Sequence, residues 1–211
     1  MFISLEGIEG SGKTTQIVQL ASFLEEAGHT VVLTREPGGT RIGDGIRKVL
    51  LDSKHEEMAP TAELLLFMAD RAQHLHEVIL PALREKKTVL CDRYYDATIA
   101  YQASSRGISR KLITHLHETL FDNLLPDITF LLDVDPKIGL KRAWNRIEKT
   151  NNDHEARFEK ELESFHEKVR SGYLELAKSC PNRFVIINVE IPSEEVTKKI
   201  QAELTQILKL N

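Results

Sequence analysis

Gly7-Ile8-Glu9-Gly10-Ser11-Gly12-Lys13-Thr14, close behind the apolar run Phe2-Ile3-Ser4-Leu5, fits the spacing G-x-x-x-x-G-K-[ST] at every fixed position. Each fixed residue has a task at a polyphosphate. Glycines let successive backbone N–H groups turn inward, Lys13 brings a positive charge to the outer phosphates, and the Thr14 hydroxyl can ligate Mg²⁺. Downstream, Thr15 to Ala27 carries Ile17, Leu20, Ala21 and Leu24 at helical spacing, and Gly28 stands where a C-cap belongs. A strand, a glycine loop and a helix in that order aim a helix dipole at an anion. A chance Gly-rich turn is the alternative, and both flanks argue against it. The segment from Gly7 to Thr15 reads as a nucleotide site.

Working outward, strand-like runs recur at 31–34, 88–91, 128–132 and 184–187, separated by helical stretches. That alternation predicts an open, five-stranded parallel sheet with helices on both faces and ligands beyond the carboxyl ends of the strands. Residues able to do chemistry sit at those ends: Glu6, Arg35, Asp92, Arg93 and Asp133. Pro60 opens a helix that runs to about Arg84, interrupted or kinked near Pro81. A second long helix is expected from Arg157 to Lys178, with Phe158, Leu162, Phe165, Val169 and Tyr173 on its packed face. Before it, Glu148 to Asp153 is polar and without apolar periodicity, which predicts an exposed mobile segment.

The whole chain, 211 residues with a formal charge of −4, suits one domain. No apolar stretch approaches the ~20 residues needed to span a bilayer, so no membrane partner is expected and a cytoplasmic location is. Cys91 and Cys180 lie far apart and form no metal or redox spacing. The acidic balance argues against nucleic acid as a partner. It also raises a local problem, because a nucleoside triphosphate and an acceptor phosphate together bring about six negative charges. Basic side chains must converge on one site.

Several segments can supply them, each with a plainer alternative. Arg35-Glu36-Pro37-Gly38-Gly39-Thr40 is either a surface turn or a fork-shaped donor for an acceptor phosphate. Asp92 beside a phosphate loop can order Mg²⁺ and Arg93 can hold a phosphate, or the two can pair with groups at the sheet edge. Phe67 and Arg71 share a helix face, either stacking on a base and bonding its edge or packing as core Phe and surface Arg. Thr98, Tyr101 and Gln102 follow at helical spacing. Arg142 and Arg146 before the polar segment, with Arg157 after it, read either as a solvated face or as the arginines of a closing lid at about 142–157. His74/His76 and His115/His117 do not read as metal pairs, because residues two apart on a helix do not face each other.

Together, Glu6-Gly-Ile-Glu-Gly-Ser-Gly-Lys-Thr-Thr15, Arg35 to Thr40, Phe67-Met-Ala-Asp-Arg-Ala-Gln-His74, Asp92-Arg-Tyr94 and Thr98-Ile-Ala-Tyr-Gln102 closely resemble the thymidylate kinase family, across most of the chain. The resemblance implies a nucleoside monophosphate kinase fold, ATP and dTMP as substrates, dTDP as product, Mg²⁺ as cofactor and a homodimer. It implies that Phe67 stacks on thymine, that Arg71 bonds its carbonyl edge and that Thr98 and Gln102 complete base recognition. It further implies that Tyr101 crowds the sugar 2′ position and that Arg35 and Arg93 hold the acceptor phosphate. Eukaryotic-type members carry a basic residue inside the loop at the position of Gly10. This chain lacks it and resembles the bacterial type with a basic lid, in which Arg142 also packs against adenine. Glu9 matches the family's loop carboxylate, expected to position Mg²⁺, a water or the sugar. One departure is Ala103-Ser104-Ser105-Arg106-Gly107, where relatives are usually Gly-rich, so the local loop conformation is open.

Other P-loop kinases of nucleotides or nucleosides are the nearest competing class. A nucleotide-dependent switch is disfavoured by the missing Asn-Lys-x-Asp guanine motif.

Overall fold

A computed structural model describes residues 1–150 and 153–208. Its sheet has five strands, β1 (Phe2–Glu6), β2 (Val31–Arg35), β3 (Thr88–Asp92), β4 (Ile128–Asp133) and β5 (Phe184–Asn188), in the order β2-β3-β1-β4-β5. Every pairing is parallel, with Leu5 opposite both Asp92 and Phe130. Strands buried on both faces need continuous apolar character. Ile3, Leu5, Val89, Leu90, Phe130 and Leu132 supply it, whereas the outer strands leave Leu33 and Ile186 half exposed.

Helices α1 (Lys13–Glu26), α2 (Arg41–Leu51), α3 (Pro60–His74), α4 (Leu80–Arg84), α5 (Tyr95–Thr98), α6 (Arg110–Phe121), α7 (Pro136–Thr150), α8 (Glu163–Ser179) and α9 (Ser193–Leu208) cover the sheet. In α1, Ile17, Leu20 and Leu24 are buried, and the helix ends as Gly28 N–H donates to the Glu25 carbonyl. Among the described residues no helix is long and apolar enough to cross a membrane.

Two local expectations are corrected, and a third takes a specific form. The interruption expected near Pro81 falls just before it. A π-helical stretch, Leu75–Ile79, joins α3 to α4, and Leu80 N–H donates to the Leu75 carbonyl. This wider turn leaves room for a proline that has no N–H of its own. The helix expected from Arg157 starts only at Glu163, and Leu162, expected on its packed face, is 77% exposed. Of the expected polar segment, Glu148 to Thr150 still belong to α7 and Asp153–Glu155 form a 3₁₀ turn. Asn151 and Asn152 lie outside the described residues.

A second π-helical stretch, Ile99–Ser105, carries Tyr101 and Gln102 and packs on α8. A Cβ on Gly172 would come within 2.3 Å of Ser104 Oγ. The Ser104 side chain therefore needs this glycine opposite it, and Ala103 to Ser105 stay helical.

Candidate active site

A cleft of about 780 Å³ opens at the carboxyl ends of the strands. It is lined by the phosphate loop, the turn after β2, and residues of α3, α5, the second π-helical stretch and α7. Lys13 and six arginines (Arg35, Arg47, Arg71, Arg93, Arg142, Arg146) reach it from six separate segments. An acidic chain thus concentrates positive charge where polyphosphates would lie.

The loop folds around its own lysine. Lys13 Nζ donates to the Gly7 and Ile8 carbonyls at 3.0 and 2.9 Å and to Ser11 Oγ at 3.2 Å. Burial lowers its pKa to about 8, with Arg93 adding to the shift and Asp92 and Glu9 opposing it. The loop also touches α7 backbone to backbone. Gly10 has φ +70°, and a Cβ there would lie 1.9 Å from the Gly139 carbonyl oxygen. No larger residue fits without moving the helix.

At the loop's far end the Thr14 hydroxyl donates to Asp92 Oδ2 at 3.3 Å. Two hard oxygen donors meeting beside a phosphate loop suit a Mg²⁺ ion, which takes one or two protein oxygens plus phosphate. Arg93, next in the chain, adopts φ +70°, a left-handed conformation that costs a non-glycine residue roughly 1–2 kcal/mol. That turn sends its guanidinium to Glu9 Oε1 at 2.9 Å.

Glu9 is the centre of a buried network. Tyr101 hydroxyl donates to the same oxygen at 2.6 Å, and His166 Nδ1 lies 3.1 Å from the other. Burial works against the charge, yet Arg93, His166 and Lys13 hold the carboxyl far below its usual range. Both oxygens are therefore engaged by protein donors. Glu9, expected to position Mg²⁺, a water or the sugar, lines the cleft and here anchors Arg93 and Tyr101. Behind it, Tyr173 hydroxyl donates to Glu6 Oε2 at 2.7 Å. Burial, helped by Asp96, raises Glu6 to about 7.

On the opposite wall, Phe67 and Phe158 face each other with ring centroids 6.4 Å apart, and Ala97 and Thr98 lie nearby in the lining. Arg71 is 1% exposed, so the alternative of a surface arginine falls. Its Nε donates to Glu36 Oε2 and its Nη2 to Thr98 Oγ1, both at 2.9 Å. Burial would push Glu36 up, but Arg71 and His74 hold it below its ordinary value. Arg35 remains largely exposed, 3.6 Å from Asp44.

Arg142 and Arg146 line the cleft from α7. The first donates to the Val189 carbonyl at 3.1 Å and the second pairs with Glu159 at 3.2 Å. Arg157, expected among the lid arginines, does not line the cleft with them. It is buried, pairs with Glu63 at 2.8 Å, donates to the Leu50 carbonyl and is absent from the cleft lining. The chain turns at 156–162 before α8 begins, and that turn points the side chain inward.

Sequence reasoning passed over Glu63, Glu36, Arg47 and His166. A carboxylate in a helix's first turn reads as dipole compensation, and only the fold reveals that Glu63 is fully buried.

The family model described as thymidylate kinase matches residues 5–200. The chain belongs to the thymidylate kinase family. A thymidylate kinase of Desulfosudis oleivorans is 50% identical over 212 residues, covering 100% of this chain and 99% of that protein. Another, of Trichlorobacter lovleyi, is 52% identical over 200 residues, covering 95% and 94%. The crystal structure of thymidylate kinase from Ehrlichia chaffeensis superposes with a TM-score of 0.77 at 37% identity, covering 97% and 98%. The thymidylate kinase family thus accounts for this sheet order and this loop across nearly the whole chain.

Proposed function

We propose that the protein transfers the γ-phosphoryl group of ATP to dTMP, giving dTDP and ADP, as a step in dTTP synthesis. One observation carries the reading beyond family membership. Arg71 and Gln102 stand with the Phe67 ring on one wall of the same cleft that holds the phosphate loop. A pyrimidine on that wall would place its phosphate toward Arg93 and Arg35, facing the loop.

The chemistry needs no protein base. The second pKa of a phosphate monoester is about 6, so the acceptor oxygen is already anionic at neutral pH. What the protein supplies is alignment and charge neutralisation. In this reading Lys13 turns from its loop carbonyls to the outer phosphates, and the N–H groups of Gly10 to Thr15 cradle them. Arg93, held by Glu9, orients the acceptor phosphate together with Arg35. Arg142 and Arg146 stabilise charge on the transferring group as the segment between α7 and α8 closes as a lid, with Arg142 also against adenine. Mg²⁺ would be held by Thr14 and Asp92, and when bound it neutralises charge on the donor phosphates. A homodimer in the cytoplasm completes the reading, on family likeness, and sedimentation of the purified protein tests its stoichiometry.

The experiment is turnover with Mg-ATP against dTMP, dUMP, UMP, dCMP, AMP, GMP and thymidine. We expect dTMP to be strongly preferred over UMP and thymidine. A different preferred acceptor would retain the kinase and discard the base pocket.

A further inference from the structure

We infer that Glu63 is a positioning residue for base choice: it fixes which end of the Gln102 amide faces the cleft. The inference rests on the dTMP reading above and concerns a residue that lies outside the cleft lining.

Gln102 Nε2 donates to Glu63 Oε1 at 2.8 Å, between side chains that are 1% and 0% exposed. A side-chain amide has one accepting and one donating end, and which is which follows from its partners. The partner here is a carboxylate gripped by two guanidinium groups. Arg106 approaches Oε1 and Oε2 at 3.3 and 3.2 Å, and Arg157 approaches Oε2 at 2.8 Å. So held, Glu63 accepts and offers nothing to an amide oxygen. Gln102 must turn its nitrogen to Glu63, which leaves its oxygen for the cleft.

The second half of the code is on α3. Nε and Nη2 of Arg71 are taken by Glu36 and Thr98, while Nη1 is buried with no hydrogen-bond partner among the described residues. Beside the pocket, Arg71 thus keeps one unused donor and Gln102 one unused acceptor. Thymine and uracil answer with an O4 acceptor and an N3–H donor. Cytosine carries the opposite pair, an N4 amino donor and a bare N3. The buried charge cluster of Glu63, Arg106 and Arg157 thereby sets the polarity by which the cleft rejects cytosine.

Glu63→Gln tests this. Arg157 and Arg106 will claim its single oxygen, leaving an –NH₂ facing Gln102, whose amide then turns over and presents –NH₂ to the base. The ratio of kcat/KM for dTMP over dCMP should fall about 10- to 100-fold, with the KM for ATP unchanged. Gln102→Leu should lower the same ratio, and adding E63Q to it should change the ratio no further, because neighbours acting through one contact are not additive. A wild-type ratio in folded E63Q, or a full additional drop in the double variant, overturns the inference. Should E63Q fail to fold, ¹⁵N NMR of the unaltered protein decides. The Gln102 amide resonances, assigned by their loss in Q102L, should hold an exchange-protected proton before and after dTMP is added. A proton that becomes protected only on adding dTMP would show the amide reversed. If the unaltered protein shows no preference for dTMP over dCMP, it is the proposed function that fails.

Discussion

The Tyr101 hydroxyl donates to Glu9 Oε1 at 2.6 Å, so the phenol oxygen is committed to the phosphate loop while the ring forms part of the cleft wall. Ring and hydroxyl therefore have separable effects. Tyr101→Phe keeps the ring and removes one of three donors to an ionised carboxylate. A hydrogen bond to a charged group contributes about 1.5–3 kcal/mol, so kcat/KM for dTMP should fall about 10- to 100-fold. The dUMP-to-UMP ratio should hold. A variant that gains UMP turnover would give the hydroxyl the sugar-selecting role instead.

Lys13 gives a pH dependence of known sign. Burial sets it near 8, and phosphates beside it must raise it, since an opposite charge favours the protonated amine. Nucleotide binding at pH 8.5 should take up protons, and affinity should weaken above pH 8 by at most about tenfold per pH unit. Calorimetry in buffers of different ionisation enthalpy reads the uptake directly. Heats independent of buffer would contradict the buried, partly deprotonated lysine.

Glu6 makes the opposite kind of statement. Its ordinary value of 4.5 rises to about 7 through burial, helped by Asp96. Between those two values the folded protein holds a proton that the unfolded chain releases, so stability falls as pH climbs through that window and is level above it. The ionised carboxylate costs on the order of 3 kcal/mol at pH 8. Glu6→Gln should therefore gain Tm relative to the parent between pH 5 and 8, by several degrees. Thermal melts across that range check it, and a constant difference would mean that Glu6 does not titrate there.

Arg146 and Arg157 should separate cleanly. Arg146→Ala removes an exposed guanidinium at the cleft, and we expect kcat to drop about 10²- to 10³-fold with Tm and the KM for dTMP little changed. Arg157→Ala removes a buried partner of Glu63, and we expect a loss of about 3–5 kcal/mol in stability. Denaturation curves and steady-state kinetics on both variants test the division. Lost turnover at unchanged stability in Arg157→Ala would return that residue to the lid.

What could be read in advance follows from how local each signal is. The phosphate loop is contiguous, and the five strands are short apolar runs, so the sequence carries both. Arg71 and Phe67 were visible as neighbours on a helix face, but the Glu36 carboxylate that holds Arg71 comes from another strand's end. Arg157 sits buried rather than at the cleft because the chain turns at 156–162 before α8 begins, which its place after a polar segment did not reveal. Glu63 and His166 acquire meaning only through partners 39 and 157 positions away, a distance that no periodicity spans.

The contact between Gly10 and Gly139 acts as a fulcrum. With no side chain between loop and helix there is no slack there, so the closure proposed above would have to bend α7 beyond Ala143, carrying Arg146 through a wider arc than Arg142. The same contact constrains ancestry. A descendant of this chain could not acquire a cation inside the loop by a single substitution, because the newcomer would displace the helix that carries Arg142 and Arg146. Two solutions to one electrostatic problem are here mutually exclusive, and a missing Cβ keeps them apart.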